Sequence, residues 1–111
     1  MKVHFEPMWS DVDEQEKQYN AEGRPLAVFL TETIEDEEYE DHVGFINPVF
    51  DHNAGSRGRI ESYELYLDVI GEEIPEHQVI HETQGGAKRE ARVALKGMVA
   101  NRKKQLELFH A

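Results

Sequence analysis

Two hydrophobic periods run along the chain, and the change between them divides it. Up to about residue 82, apolar positions tend to alternate with polar ones; from Ala87 onward they recur every three or four residues. Val3 and Phe5 alternate before a break at Pro7, which predicts a first strand over residues 2–9 at a sheet edge, because proline cannot donate to a ladder. Ser10 with Asp13 is a capping-box pattern, and acids at 11, 13, 14 and 16 suit the start of a short helix over about 11–20, stopped by Gly23. Residues 25–34, rich in β-branched and aromatic side chains, form the clearest strand. Residues 42–50 predict another, interrupted at Asn47-Pro48. The seven residues between these two strands, 35–41, include six acids and predict a hairpin connection. Residues 51–59 read as a loop by their turn chemistry. Within 60–70, Tyr63, Leu65, Leu67 and Val69 share one face, with Ile60, Tyr66 and Ile70 on the other. Gly71 then turns the chain into a last strand over 74–82, which pairs back as a hairpin.

From Ala87 to about residue 109, Ala87, Ala91, Ala94, Leu95, Met98, Leu106 and Phe109 make one stripe, the pattern of a helix laid on a sheet. Gly97 inside it costs about 1 kcal/mol relative to alanine, which a close helix–sheet approach would explain. The expected architecture is α+β: an antiparallel sheet of about four to five strands with one long C-terminal helix packed across one face. At 111 residues the chain fits a single domain spanning 1–111. Tyr66, Ile60, Ile70 and Ile80 on the opposite side of the sheet leave room for a homodimer.

Charge sharpens the division. Residues 1–82 hold 21 Asp/Glu and 5 Lys/Arg, whereas residues 83–111 hold 2 Asp/Glu and 7 Lys/Arg, for a total of −11. Such a body repels nucleic acid and anionic membrane at long range. It suits a basic protein surface, such as that of a nucleic-acid-binding protein. The absence of cysteine excludes disulfides and thiol nucleophiles and fits a reducing compartment. The N-terminal stretch has no apolar h-region and no apolar run reaches the length of a membrane span, so the expectation is a cytoplasmic protein without a membrane partner.

The densest candidate site is acidic: Glu32, Glu35, Asp36, Glu37, Glu38, Glu40 and Asp41. Carboxylates spaced along a hairpin can imitate a phosphate backbone and occupy a basic cleft, with Trp9, Tyr39 and Phe50 as candidate anchors; the same acids also serve solubility and edge protection. A calcium loop at Asp11, Asp13, Gln15 and Glu22 has Glu16 where the turn needs glycine. His77 and His81 have metal-ligand spacing only in a helix; in a strand their rings stand roughly 13 Å apart. His42 and Asp51-His52-Asn53 have no nucleophile or paired base at a recognisable spacing, and no phosphate loop or dinucleotide fingerprint occurs. No metal, cofactor or catalytic activity is expected.

The basic helix is the second candidate. Lys88, Arg92, Lys96 and Lys103 share a stripe flanked by Arg89 and Arg102. Lys88 and Arg89 are expected in the first turn, where they oppose the helix dipole. Gly85-Gly86 would free backbone N–H groups there for an anion; a solvated face is the plainer alternative. Residues 63–99, running strand, glycine turn, strand and then Thr83-Gln84-Gly85-Gly86-Ala87-Lys88-Arg89, resemble the second half of a double-stranded-RNA-binding domain. That resemblance implies phosphate contacts from Lys88, Arg89 and Arg92. The resulting expectation is a small, acidic, non-enzymatic inhibitor or adaptor that engages a basic partner surface. The alternative is a nucleic-acid-binding module using Lys88, Arg89, Arg92 and Lys96.

Overall fold

In a computed structural model, which describes residues 1–8, 24–51 and 59–110, the described residues form one antiparallel sheet and one helix. The strands are β1 (Lys2–Pro7), β2 (Leu26–Ile34), β3 (Glu37–Asp51), β4 (Arg59–Leu67) and β5 (Ile80–His81), and they lie side by side in chain order. The helix α1 spans Gln84–His110. The short helix expected over 11–20, Trp9 and most of the loop expected over 51–59 lie outside the described residues.

The core follows from alternation on β2–β4 and the helical stripe on α1. Leu26, Val28 and Leu30 of β2, Ile46 of β3 and Tyr63 and Leu65 of β4 face Ala87, Ala91, Leu95 and Met98. Three small residues, Ala87, Ala91 and Ala94, let α1 lie close to the strands, and it packs over β4 with β5 and β3 beside it. The stripe is shorter than its sequence suggests. Leu106 and Leu108 are 53% and 78% exposed, because the last turns of α1 run past the sheet.

Four further expectations change. First, the hairpin expected around 35–41 is present, but its connection is only two residues long. Glu35 and Asp36 alone make the turn, and Glu37–Asp41 pair in register with Leu30–Ile34. Second, β3 continues through Asn47-Pro48. The β2–β3 ladder ends at Leu26↔Ile46, so beyond it β3 is paired only with β4 among the described residues, and a proline is tolerated on the unpaired side. Third, the strand expected over 74–82 shrinks to Ile80–His81, with one further bond from Leu65 N–H to the Val79 carbonyl at 2.8 Å. Pro75 and Gln78 are drawn onto the helix instead of lying flat along β4: Glu90 accepts the Gln78 N–H at 3.0 Å, and Pro75 sits on Gly97. A β-carbon at Gly97 would lie 3.2 Å from Pro75 Cγ, so the close approach is to this connection and not to the sheet. Fourth, Ile60 packs against the core cluster, and Ile70 is exposed beside the turn at Gly71.

One irregularity re-aims side chains. Val28 pairs with Gly44 but Phe29 pairs with His42, so Val43 is an extra residue in β3. This bulge turns Val43 into the core and sets His42 and Phe45 on the same open face, although an odd spacing would part them in a regular strand. Gly44 makes room for it. A β-carbon there would stand 2.0 Å from the Tyr66 carbonyl oxygen.

Candidate interaction surface

Strand alternation distributes the acidic hairpin over two faces. Glu38 and Glu40 share the open face of the sheet with Thr31 and Thr33, their partners on β2. Glu32, Glu37, Tyr39 and Asp41 fall on the helix side, and Glu35 and Asp36 form the tip. Glu32 is set apart from the rest. It is half-buried and accepts a hydrogen bond from Arg102 Nη1 at 2.7 Å, while Arg102 also grips both carboxylate oxygens of Glu72. These bonds to Glu72 hold the Arg102 guanidinium pKa above its ordinary value, against burial, and Glu32 adds to the effect. Glu35, Asp36, Glu38 and Asp41 have no cationic partner among the described residues, and all are exposed.

The turn itself is unusual for its residues. Glu35 and Asp36 both adopt positive φ, 52° and 66°. Two-residue hairpin turns of this hand favour Asn-Gly, and a residue with a β-carbon in that region costs about 1–2 kcal/mol. The chain places two carboxylates there instead.

The proposed anchors do not converge. Tyr39 and Phe50 are exposed but stand eleven residues apart on β3, roughly 35 Å at the strand rise. Tyr39 donates its hydroxyl to Glu37 at 2.7 Å.

The open face holds a group of rings that sequence reasoning did not assemble. His4 of β1 stacks on Phe29 of β2, with ring centres 5.0 Å apart and planes 11° from parallel. Phe29 lies 5.2 Å from His42, and His42 meets Phe45 edge-on at 4.7 Å. Tyr66 pairs with Phe45 in the next strand and donates its hydroxyl to Glu64. His42 Nε2–H donates to the Gly44 carbonyl at 2.9 Å, which fixes its tautomer and leaves Nδ1 as an acceptor. The signal available in the sequence was the alternation His4, Glu6 and Phe29, Thr31; the bulge at Val43 hid the rest.

Hydrogen bonding raises the Tyr39 and Tyr66 hydroxyls above the ordinary 10.0, first because ionisation would break the bonds to Glu37 and Glu64 and then through burial. The sign follows: each bond favours the folded state below the ordinary value and loses that contribution as pH climbs through the raised one. An absorbance titration at alkaline pH should show two tyrosines ionising late. Glu64→Ala should return one of them to the normal range, and an unchanged titration would refute this assignment.

On α1, the cap differs from expectation. Gly86 N–H donates to Thr83 Oγ1 at 3.0 Å, so Thr83 is the N-cap and Lys88 and Arg89 stand in the second turn, not the first. Lys88 Nζ and Arg92 Cζ lie 5.6 and 5.0 Å from the Phe5 ring centre, holding β1 to the helix through cation–π contacts. Arg89 and Lys96 are exposed. His77 and His81 serve separate backbone bonds, to the Pro75 carbonyl at 3.0 Å and the Gln78 carbonyl at 2.8 Å. Among the described residues, no three His, Asp or Glu side chains converge as a metal site. No α-helix among the described residues is long and apolar enough to cross a membrane. No protein-family model, curated protein or solved structure matches this chain.

Proposed function

We propose that this protein is a small acidic binding or regulatory protein, an inhibitor or adaptor without catalytic activity, that engages a basic surface of a partner protein. The observation that carries this reading is the hairpin tip. Carboxylates at 35, 36, 38 and 41 are exposed and unpaired among the described residues, and two of them occupy backbone positions that favour asparagine and glycine. Solubility alone does not require acids at strained positions. The ordered strand also spaces its charges. Successive residues of β3 alternate faces, so Glu38 and Glu40 stand about 7 Å apart on one face with Glu37 and Asp41 on the other, a regular acidic ribbon that suits a basic cleft as a nucleic-acid backbone does.

The test uses two variants against a synthetic peptide of mixed arginine and lysine. Glu35→Lys, Glu37→Lys and Glu38→Lys together should slow association about tenfold at low salt, with little change in dissociation. Glu35→Asn with Asp36→Gly should raise stability by about 1–2 kcal/mol while also slowing association. Association that ignores both variants would defeat the acidic-surface reading. The basic-helix alternative has less behind it, since Lys88 and Arg92 pack on Phe5 and Thr83 already satisfies the Gly86 N–H. A gel shift with duplex RNA or DNA, abolished by Lys88→Glu with Arg92→Glu, would restore it.

A further inference from the structure

The acidic hairpin steers a partner; the open face of the sheet has the chemistry to hold one. This deepens the reading above and rests on it. Four strands contribute to a continuous row of rings: His4, Phe29, His42, Phe45 and Tyr66. The helix covers the other face; on this one Phe29 and Phe45 are half-buried, and the small residues Ala27 and Thr31 beside them are buried. His42 is exposed and Tyr66 is 48% exposed. Carboxylates rim the row. Register places Glu6, Glu38, Glu40 and Glu64 on this face with Lys2, and pairs Arg59 with Asp51 at its far end. His4 Nε2 stands 3.5 Å from Glu40 and 3.7 Å from Glu6. At the edge of the sheet beside Tyr66, a groove of about 550 Å³ is lined by His42, Phe45 and Tyr66 of this row and by Val43, Leu65 and Leu67 of the helix side. No lysine or arginine lines it.

We infer that this face docks an extended, arginine-bearing segment of the partner, with guanidinium groups stacked on the rings and paired to the rim carboxylates. Three properties select that occupant. The faces of aromatic rings attract cations, and a planar guanidinium stacks on them as an ammonium does not. The rim supplies carboxylates that accept a guanidinium fork in a bidentate manner. The same rim repels other candidates. A single-stranded nucleic acid would find stacking rings but would bring phosphates against four glutamates. A second copy of the chain would set those glutamates against themselves.

Full-length protein should be titrated at low salt with octa-arginine and with octa-lysine, followed by fluorescence anisotropy. The wild type should bind octa-arginine at least about fivefold more tightly, the order of a stacking contribution at a partly exposed site. His42→Ser with Tyr66→Ser, both exposed positions, should reduce that preference below about twofold by weakening octa-arginine binding more than octa-lysine binding, with the circular dichroism spectrum unchanged. Equal affinity for the two peptides on the wild type, or a preference that survives the double variant, overturns the inference and leaves the acidic-surface reading standing. Failure of both peptides to bind defeats that reading and this inference together. Binding of oligo-uridine that the double variant removes, or a concentration-dependent dimer that it disperses, would assign the face to another occupant and overturn the proposal.

Discussion

Alanine at position 44 is expected to destabilise the fold by about 3 kcal/mol, the upper part of the range for overpacking a well-filled site. The added carbon would lie 2.0 Å from the Tyr66 carbonyl oxygen and 2.9 Å from Leu67 Cδ2. The leucine tip can rotate away. The carbonyl cannot, because it belongs to β4 where that strand pairs with β3, in the register Gly44↔Leu67 and Phe45↔Tyr66. Relief therefore requires β3 and β4 to part where their pairing is regular and the Asp68 N–H bonds the Val43 carbonyl at 2.8 Å. For a chain of this size the loss corresponds to a fall in Tm of roughly 15 °C. Gly85→Ala supplies the control, since a β-carbon there meets nothing within 4 Å. Thermal melts by circular dichroism decide the matter. Equal Tm values for Gly44→Ala and the wild type would mean that the two backbones are not in contact.

The second large effect is expected at Arg102. Its guanidinium joins three parts of the chain: the end of α1, Glu32 on β2 and Glu72 in the connection after β4. The side chains of Glu32 and Glu72 are 18% and 22% exposed, so removing the cation leaves two poorly hydrated carboxylates facing each other. Breaking a fully buried pair costs about 3–5 kcal/mol; solvent reaches this one, so Arg102→Met should cost about 2 kcal/mol. Lysine should not rescue it, because an ammonium cannot grip both oxygens of Glu72 while reaching Glu32. Glu72→Gln in the Arg102→Met background should recover part of the loss by removing one of the stranded charges. Urea unfolding of the four variants measures this. Additive losses from Arg102→Met and Glu72→Gln would mean that the two residues act independently.

The layout of the fold is legible in the residue pattern. Alternation in 25–34 and 60–67, with the stripe from Ala87 to Met98, specifies an antiparallel sheet under one helix. The errors have particular causes. A run of acids at 35–41 has low strand propensity and so suggests a loop, yet pairing with Leu30–Ile34 carries it into a strand. Ile80 and Val79 suggest a longer last strand, but contacts from Pro75 and Gln78 to the helix hold that stretch off the sheet. The acidic residues of the candidate site could be named from the sequence, though not that Arg102 engages Glu32, because such a pairing depends on where α1 ends. The aromatic row was invisible for a geometric reason. A single extra residue at Val43 inverts the parity on one side of it, so no alternation rule could put His42 and Phe45 on the same face.

The meander order of the strands also bears on how the chain acquires its structure. Every described strand pairs with its neighbour in sequence, so the sheet can grow one hairpin at a time with modest loop-closure entropy. The bond from Arg102 to Glu32 is of another kind, since it spans 70 residues and needs both the sheet and the docked helix in place. A contact of that sort is expected to form after the rate-limiting step. Arg102→Met should then speed unfolding and leave the folding rate nearly unchanged, as the two arms of a chevron would show. On that expectation Arg102 sets how long the native state persists once formed, and the hairpins set how quickly it is reached.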